Sequence, residues 1–421
     1  MQTLLYILFA LLLLSPVTGE LWRIQIAGQG LLPSDLIIPP LFILWGLDKL
    51  KNDRKLRLGK IGRAVVLFLF VILAVNVFNL LRFDLSQMVT GFVYLGRFAM
   101  YVLVAIIGFD LLSRDPSGRF KKLVLTTMMI SFFLLIVLGF LQLHFFPSFL
   151  ELGMQNKGWD PHIGRLLSTW FDPNFMGGFF AFMLPVSLGL SLYFYRHKSW
   201  KQAILFGALS FLGLMALYFT YSRSSYLALM VGLGLFTFFK SRRLLVLFVL
   251  FLVIGFSLSS RVQQRTVDAW ESARSLVGIE DQKPLDPTSQ FRVDSWNFAL
   301  GIIKDYPVFG AGYGRYADEF YERSRGPMQD HSSSGSDSSL LTLWAQAGIL
   351  GLLSYLWIFF VAFAISLKPI WKKDALESYL QLGLLCGLFA LLAHSFFVNS
   401  LLFAHMMVFL WTGMALMDTD R

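Results

Sequence analysis

The amino-acid sequence predicts an all-α, polytopic helical membrane protein with about 12 transmembrane helices and a large outer-face loop containing short helices. The chain is 56% hydrophobic and only 15% charged, which is more apolar surface than a soluble core of this size would hide. The apolar residues form long blocks, such as residues 64–81, 123–141 and 244–257. These blocks approach the roughly 20 residues that cross a bilayer as a helix. Alternation with period 2 is absent, so the pattern does not favour a transmembrane barrel.

The apolar blocks define the predicted spans, and the loops between them define the orientation. In order, the spans cover residues 1–19, 34–48, 64–83, 86–111, 123–145, 174–195, 202–220, 224–240, 244–260, 338–367, 375–394 and 400–418. Every second short loop is rich in basic residues: Lys49, Lys51, Arg54, Lys55, Arg57, Lys60 and Arg63; Arg114, Arg119, Lys121 and Lys122; Arg196, Lys198 and Lys201; Lys240, Arg242 and Arg243; Lys368, Lys372 and Lys373. Because basic short loops stay cytoplasmic, this pattern places both termini in the cytoplasm.

The spans divide the chain into three parts. Residues 1–260 form an N-terminal transmembrane bundle of about nine spans, residues 261–337 a large extracytoplasmic loop, and residues 338–421 a C-terminal bundle of about three spans. An alternative for residues 1–19 is a cleaved signal peptide, since Ser15-Pro16-Val17-Thr18-Gly19 resembles a processing region. The absence of a basic residue before the apolar run argues against it, and cleavage would leave the other spans oriented the same way.

The net charge and the cysteine content exclude some function classes. The formal net charge is +10, but many basic residues lie in short loops between spans. This distribution favours anionic lipid over nucleic acid as a partner. The single cysteine, Cys386, lies inside an apolar block, so it forms no intramolecular disulfide and indicates no redox compartment.

The large loop contains a predicted interfacial helix followed by a turn. Asp286-Pro287 is typical of a helix start, and Lys304-Asp305-Tyr306-Pro307 of a helix end. Apolar and polar residues mix between them, as in a helix that lies at a membrane surface. The glycines of Gly310-Ala311-Gly312-Tyr313-Gly314 then predict a turn or a close backbone approach.

Three arginines on the predicted outer face are candidates for binding an anion. Arg165 precedes a span, Arg223 lies between two spans with almost no loop around it, and Arg292 lies near the start of the interfacial helix. A guanidinium group is permanently charged and binds phosphate oxygens through two parallel hydrogen bonds. Three of them would hold a pyrophosphate. The structural alternative is that each arginine pairs with a nearby aspartate or reaches the interface.

Two residues near the end of the loop are candidates for a general base. Because His331 is a histidine, it could serve as a base near neutral pH. Asp337, at the mouth of the next span, could do so if burial raises its pKa. Their structural alternatives are a solvated loop histidine and a helix N-cap, respectively. The sequence has no His/Cys cluster, no His-Glu-x-x-His and no phosphate-binding glycine loop, so it supports neither a metal nor another cofactor.

Four stretches of the chain stand in a recognisable order. They are Gly164-Arg165-Leu166 through Pro173-Asn174; Tyr221-Ser222-Arg223-Ser224; Phe291-Arg292 through Trp296 with Pro307-Val308-Phe309-Gly310-Ala311-Gly312; and Leu340–Gly348 with Ile349-Leu350-Gly351. With the large loop before the last spans, they resemble the bacterial O-antigen polymerase and O-antigen ligase superfamily, whose members are polytopic lipid-linked glycan polymerases and ligases. The resemblance covers residues 160–367.

This resemblance implies glycosyl transfer at the outer face of the bacterial inner membrane, without a cofactor. The donor would be a glycan on undecaprenyl pyrophosphate, bound by Arg165, Arg223 and Arg292. Many ligases of the family carry a His-Asn pair where this sequence has Asp337-Ser338, which favours an inverting, metal-independent polymerase. The alternatives are a ligase that transfers the glycan to lipid A core or to a protein, and a non-enzymatic transporter of lipid-linked glycan. A chain-length regulator and a flippase are the implied partner proteins.

Overall fold

The computed structural model describes residues 1–26, 29–52, 55–157, 159–240, 242–276, 287–324, 334–370 and 375–418. Within them the α-helices are α1 (Gln2–Thr18), α2 (Pro33–Lys51), α3 (Lys60–Asn79), α4 (Leu85–Ser113), α5 (Arg119–Phe145), α6 (Pro173–Arg196), α7 (Trp200–Phe219), α8 (Arg223–Lys240), α9 (Arg242–Leu258), α10 (Ser260–Leu276), α11 (Pro287–Asp305), α12 (Tyr316–Ser324), α13 (Ser339–Ile370), α14 (Leu376–His394) and α15 (Ala404–Met417). Short 3-10 turns cover Gly19–Trp22, Met154–Lys157, Ser168–Trp170 and Ser400–Leu402. Strands β1 (Ile24–Ile26) and β2 (Gln29–Leu31) pair antiparallel.

The helices confirm the predicted all-α, polytopic membrane fold. In the described part of the chain, 8 helices are long and apolar enough to cross a membrane, or 9 if α9 and the start of α10, which are bent by 100°, form one span. The larger predicted number stays a prediction, because α2, α8 and α15 do not meet this test. The 14 residues of α15 reach only about 21 Å as a helix, less than the hydrocarbon thickness of about 30 Å.

Helix α2 is longer than the span predicted at residues 34–48, and it contains Pro39 and Pro40. Its first turn is fixed by Asp35, which accepts a hydrogen bond from the Leu32 amide at 2.8 Å. The same carboxylate accepts two hydrogen bonds from Arg97 of α4, at 2.8 and 2.7 Å. This paired arrangement is how an aspartate and an arginine are accommodated between apolar helices.

The helices that follow the large loop pack onto those that precede it. Helix α14 packs against α6 and α8, α13 against α3, and α15 against α4. Glycines allow the closest of these contacts, since a Cβ at Gly387 would lie 2.5 Å from the Phe182 carbonyl oxygen. Large apolar side chains also face outward, with Phe70 67% and Ile204 69% exposed. Such faces are expected to contact lipid.

Helix α13 is broken at Gly348, whose φ and ψ of 66° and −176° are not helical. The turn after α11 pairs with this break. Ala311 N donates to Ala345 O at 2.9 Å, Gly312 N donates to Gln346 O at 3.0 Å, and Ile349 N donates to Pro307 O at 3.0 Å. The glycine-rich segment predicted as a turn or close approach is therefore both, and it fixes the end of α11 to the transmembrane bundle.

The loop helices α10, α11 and α12 follow α9 and precede α13 in the chain. They lie at the end of the bundle where α5, α7 and α14 end and where α6, α8 and α13 begin. At the opposite end, basic residues of the predicted cytoplasmic loops take part in ion pairs. Arg114 pairs with Asp48 at 2.8 Å, and both Arg114 and Lys49 pair with buried Asp110. These basic residues therefore stabilise helix packing as well as marking a membrane face.

Candidate active site

A cavity of about 1060 Å³ opens at the end of the bundle that carries the loop helices. Arg165, Arg223, Arg292 and Asp337 all line it. The four residues come from different parts of the chain, namely the loop before α6, the start of α8, α11 and the residues before α13. The fifth candidate, His331, lies outside the described residues.

Arg165 is held by the segments that begin α6 and α8. Its Nε donates to the Thr220 carbonyl oxygen at 2.8 Å, and its Nη2 approaches Asn174 Oδ1 at 3.4 Å. The α6 start is set by Asp172, whose Oδ1 accepts the amides of Asn174 and Phe175 at 2.6 and 3.2 Å, and Pro173 at the first helical position adds to this cap. The Pro173-Asn174 stretch thus places a polar amide beside the arginine.

Arg223 is the first residue of α8 and follows a strained turn. Tyr221 has a φ of 49°, which is uncommon for a residue with a side chain and tends to occur at functional sites. Ser222 Oγ donates to Asn174 Oδ1 at 2.8 Å, so the turn is joined to the start of α6. Arg223 Nη2 donates to Ser289 Oγ of α11 at 3.2 Å. The Tyr-Ser-Arg-Ser stretch therefore connects the bundle to the loop.

Arg261, at the start of α10, is a fourth cavity-lining arginine that the sequence analysis did not select. Its Nη1 and Nη2 donate to the carbonyl oxygens of Gly164 and Ile163 at 3.1 and 3.0 Å. Its guanidinium carbon lies 4.2 Å from the Tyr221 ring centroid, a cation–π contact. Burial raises the pKa of the Tyr221 phenol. Arg261 thus fastens the loop that carries Arg165 to the turn that precedes Arg223.

Helix α11 presents one face to the cavity. Phe291, Arg292, Ser295 and Phe298 line it, and their spacing of one, three and three residues keeps them on one side of a helix. The helix begins at Pro287 and ends at Asp305, which confirms both predicted ends within the described residues. Trp296 of the same helix packs against Phe397, with ring centroids 5.9 Å apart.

Asp337 lines the cavity at the start of α13, but the N-cap position belongs to Ser338. Ser338 Oγ accepts the Leu341 amide at 3.4 Å, and Ser338 O accepts the Thr342 amide at 2.9 Å. The Asp337 amide donates to Ser295 Oγ of α11 at 2.9 Å. The alternative in which Asp337 serves as the helix cap is therefore wrong, and Ser295 positions its backbone.

Another part of the cavity lining combines aromatic side chains with a polar one. Phe175, Phe397 and Phe403 line it together with Asn399. The Phe175 and Phe403 rings stack with centroids 4.0 Å apart. Asn399 Oδ1 is buried and has no hydrogen-bond partner within the described residues. A buried acceptor without a partner is costly, and Asn399 is one of the residues that line the cavity.

A buried histidine contacts the first turn of α8. His394 is fully buried at the end of α14, and its Nε2 lies 3.3 and 3.4 Å from the hydroxyls of Ser224 and Ser225. Ser224 Oγ lies 3.1 Å from Ser222 Oγ, which continues the chain of polar contacts to the cavity. In the sequence, residues 375–394 form an apolar block that predicts only a span, and hydropathy gives no sign of this contact.

The arrangement can bind an anion and remove a proton. Guanidinium groups approach the cavity from four segments, and a carboxylate lies at the start of α13. Burial and the nearby Asp337 charge raise the pKa of the Tyr316 phenol, so this neighbour stays protonated. No group of three or more histidine, cysteine, aspartate or glutamate side chains that could hold a metal ion occurs in the described part of the chain. That the reaction needs no metal stays a prediction.

Comparison with known proteins supports the resemblance seen in the motifs. Residues 208–356 match the family model described as O-Antigen ligase, a range that includes Arg223, Arg292 and Asp337. An uncharacterised protein of Haemophilus influenzae is 23% identical over 239 residues, which are 53% of this chain and 58% of that protein. The chain therefore aligns with less than two thirds of that relative's length. The family match confirms the resemblance to the O-antigen polymerase and ligase superfamily.

Proposed function

We propose that this protein is an inverting, metal-independent glycosyltransferase of the bacterial inner membrane. It polymerises undecaprenyl-pyrophosphate-linked oligosaccharide repeat units, of O-antigen or exopolysaccharide, on the outer face. The observation that carries the proposal is the single cavity lined by Arg165, Arg223, Arg292 and Asp337. These residues lie in the family-like stretches or directly beside them, and they are separated by up to 172 positions in the sequence. The family match to residues 208–356 supports transfer of this general type.

In the proposed reaction an acceptor hydroxyl displaces the lipid diphosphate from the donor sugar. The hydroxyl oxygen bonds to the anomeric carbon while the bond from that carbon to the diphosphate oxygen breaks. The electron pair leaves with the diphosphate, and the hydroxyl proton goes to the Asp337 carboxylate. Arg165, Arg223 and Arg292 stabilise the charge that accumulates on the leaving group, and as preset donors they need little reorganisation. A single displacement of this kind inverts the anomeric configuration.

The aromatic wall and Asn399 provide the acceptor side of the proposed site. Phe397 and Phe403 offer apolar surface, and the buried Asn399 Oδ1 accepts a hydrogen bond from a sugar hydroxyl. The lipid tail would leave the cavity between the apolar helices. His331 is the alternative base, because it lies in the same loop six positions before Asp337.

Two other functions would use the same lipid-linked glycan. A ligase would pass the glycan to lipid A core or a protein, and the His-Asn pair that many ligases carry is Asp337-Ser338 here, which favours a polymerase. A transporter would move the lipid-linked glycan without breaking a bond. A chain-length regulator and a flippase are the proposed partner proteins of the polymerase.

The deciding experiment uses the purified protein in liposomes that contain a lipid-linked repeat unit. We expect longer lipid-linked glycans, release of one undecaprenyl diphosphate per bond formed, and no effect of a chelator. Elongation should be one to two powers of ten slower in Arg223→Ala liposomes prepared in parallel, the effect of losing about 1.5–3 kcal/mol. Release that requires added lipid A core would identify a ligase, and movement across the bilayer without release would identify a transporter.

A further inference from the structure

The cavity contains a histidine whose role the proposed mechanism leaves open. His162 lies in the loop between α5 and α6, lines the cavity, and has a side chain that is 10% exposed. Its Nδ1 is 3.5 Å from Arg165 Nη1, and its Nε2 is 4.0 Å from Asp160 Oδ2. The main chain at this position is held by a hydrogen bond, because His162 O accepts the Phe149 amide at 2.9 Å. The imidazole thus stands between a carboxylate and one of the proposed pyrophosphate ligands.

A hydrogen bond from Arg165 to His162 Nδ1 favours a neutral ring. A guanidinium group is only a donor, so the nitrogen that it approaches must be the acceptor. His162 is then neutral in this arrangement, with its proton on Nε2 toward Asp160. The contacts from Arg165 to His162 and Asn174 are long, at 3.5 and 3.4 Å, whereas its Nε bond to Thr220 O is 2.8 Å. Nη1 and Nη2 are therefore the donors that a phosphate would recruit most readily.

We propose that His162 is a further ligand of the diphosphate, and that donor binding is coupled to its protonation. This inference rests on the proposed function, since it assumes a diphosphate at Arg165. The incoming phosphate draws Arg165 Nη1 away from the ring, and Nδ1 takes up one proton from solvent. The imidazolium, held by Asp160 at Nε2, then donates from Nδ1 to a phosphate oxygen. One proton enters the site for each donor molecule bound.

The charges around His162 support this order of events. Arg165 on its own loop and Arg261 from α10 oppose a positive charge on the ring while the cavity is empty. Asp160 and the diphosphate favour it once the cavity is filled. Among the described residues, the other titratable groups that line the cavity are Asp172, Tyr221, Arg223, Arg292, Asp294 and Asp337. Because the occupied site holds more protons than the empty one, affinity is highest at low pH and falls as pH rises.

The test measures the dissociation constant of a prenyl-diphosphate-sugar in detergent between pH 5 and 8, where histidine changes charge. This disubstituted diphosphate is chosen because its own charge stays constant over the range. In the wild-type protein Kd should rise with pH, by at most about tenfold per pH unit for one coupled proton. In His162→Gln it should be flat. The control is His144→Gln. His144 lies at the same end of α5 but does not line the cavity, so the Kd of this variant should rise with pH as in the wild type.

Each outcome bears on a defined part of the inference. Wild-type protein that fails to bind the probe at every pH would overturn the proposed function and this inference with it. If the Kd of His162→Gln still rises with pH as in the wild type, only the role of His162 is overturned. The same holds if the pH dependence of Kd is lost in Asp337→Asn. If His162→Gln does not fold, as judged by thermal unfolding, His162→Arg replaces it. Its permanent charge should make binding insensitive to pH, and a retained slope would refute the coupling.

Discussion

Replacement of Gly348 by alanine should release the large loop from the transmembrane bundle. The φ and ψ of Gly348, 66° and −176°, lie in a region open almost only to glycine, and another residue there costs about 1–3 kcal/mol. A Cβ would also lie 2.0 Å from Val308 O and 2.5 Å from Phe309 N. Both contacts are with backbone, so no side-chain rotation relieves them. The segment that follows α11 must therefore move.

The movement would break the pairing between this segment and the α13 break. Three hydrogen bonds of 2.9–3.0 Å join Pro307, Ala311 and Gly312 to α13, and each contributes about 0.5–1.5 kcal/mol. With the strain, the docked arrangement should lose roughly 3–7 kcal/mol. A loss of 3 kcal/mol corresponds to about a hundredfold change in an equilibrium constant. Polymer formation should fall as well, since α11 carries Arg292 and Ser295 into the cavity.

Hydrogen exchange read by mass spectrometry measures this opening directly. The amides of Ala311, Gly312, Tyr313 and Gly314 are all hydrogen-bonded, so a peptide covering residues 307–314 should be protected in the wild type. In Gly348→Ala it should exchange at least about a hundredfold faster. The matched control is Gly96→Ala in α4, where a Cβ would have no heavy atom within 4 Å. Wild-type protection in Gly348→Ala, or equal loss in Gly96→Ala, would refute this account of the docking.

Three further predictions test the site and the topology. Arg223→Ala and Arg292→Ala should each lower polymer formation by one to two powers of ten, the effect of losing about 1.5–3 kcal/mol from a charge-assisted contact. Lysine at either position should restore polymer formation partly, and the control Lys304→Ala on α11 should be active. Full activity in both alanine variants would show that these arginines do not bind the pyrophosphate. Asp337→Asn should bind the donor but make no polymer, whereas His331→Ala keeps measurable activity; the reverse result would make the histidine the base. Reporter fusions should place residues near Lys55, Arg119 and Lys372 in the cytoplasm and residues near Asp281 outside, and an outside signal at Lys55 would contradict the orientation.

The helices were predictable because their causes are local. Each span follows from the transfer free energy of a continuous apolar block, and the ends of α11 follow from the proline at its start and the Tyr-Pro pair after it. The length of α2 was not predictable in the same way. Two prolines and an aspartate argue against a long helix, and the partner that fixes its first turn, Arg97, is 62 positions away.

The candidate site was only partly visible in the sequence. Arg165 and Arg223 stand out because a charge in a short loop beside a span is costly and needs a reason, and Arg292 stands out because it lies in a stretch that resembles the family. Arg261, Ser295 and Asn399 gave no such signal, since a basic or polar residue in a long loop is ordinary. Their importance comes from contacts with distant segments, such as the hydrogen bond from Asp337 N to Ser295.

The sequence by itself determined that the chain is a helical membrane protein, and it offered Arg165, Arg223, Arg292 and Asp337 as candidates for binding an anion and accepting a proton. Only the tertiary structure decided that these residues share one cavity, that Ser338 rather than Asp337 caps α13, and that the glycine-rich turn pairs with the break at Gly348. The reason is physical. Hydropathy and helix signals act over one or two turns of chain, whereas the cavity depends on hydrogen bonds and packing between segments that the sequence keeps far apart.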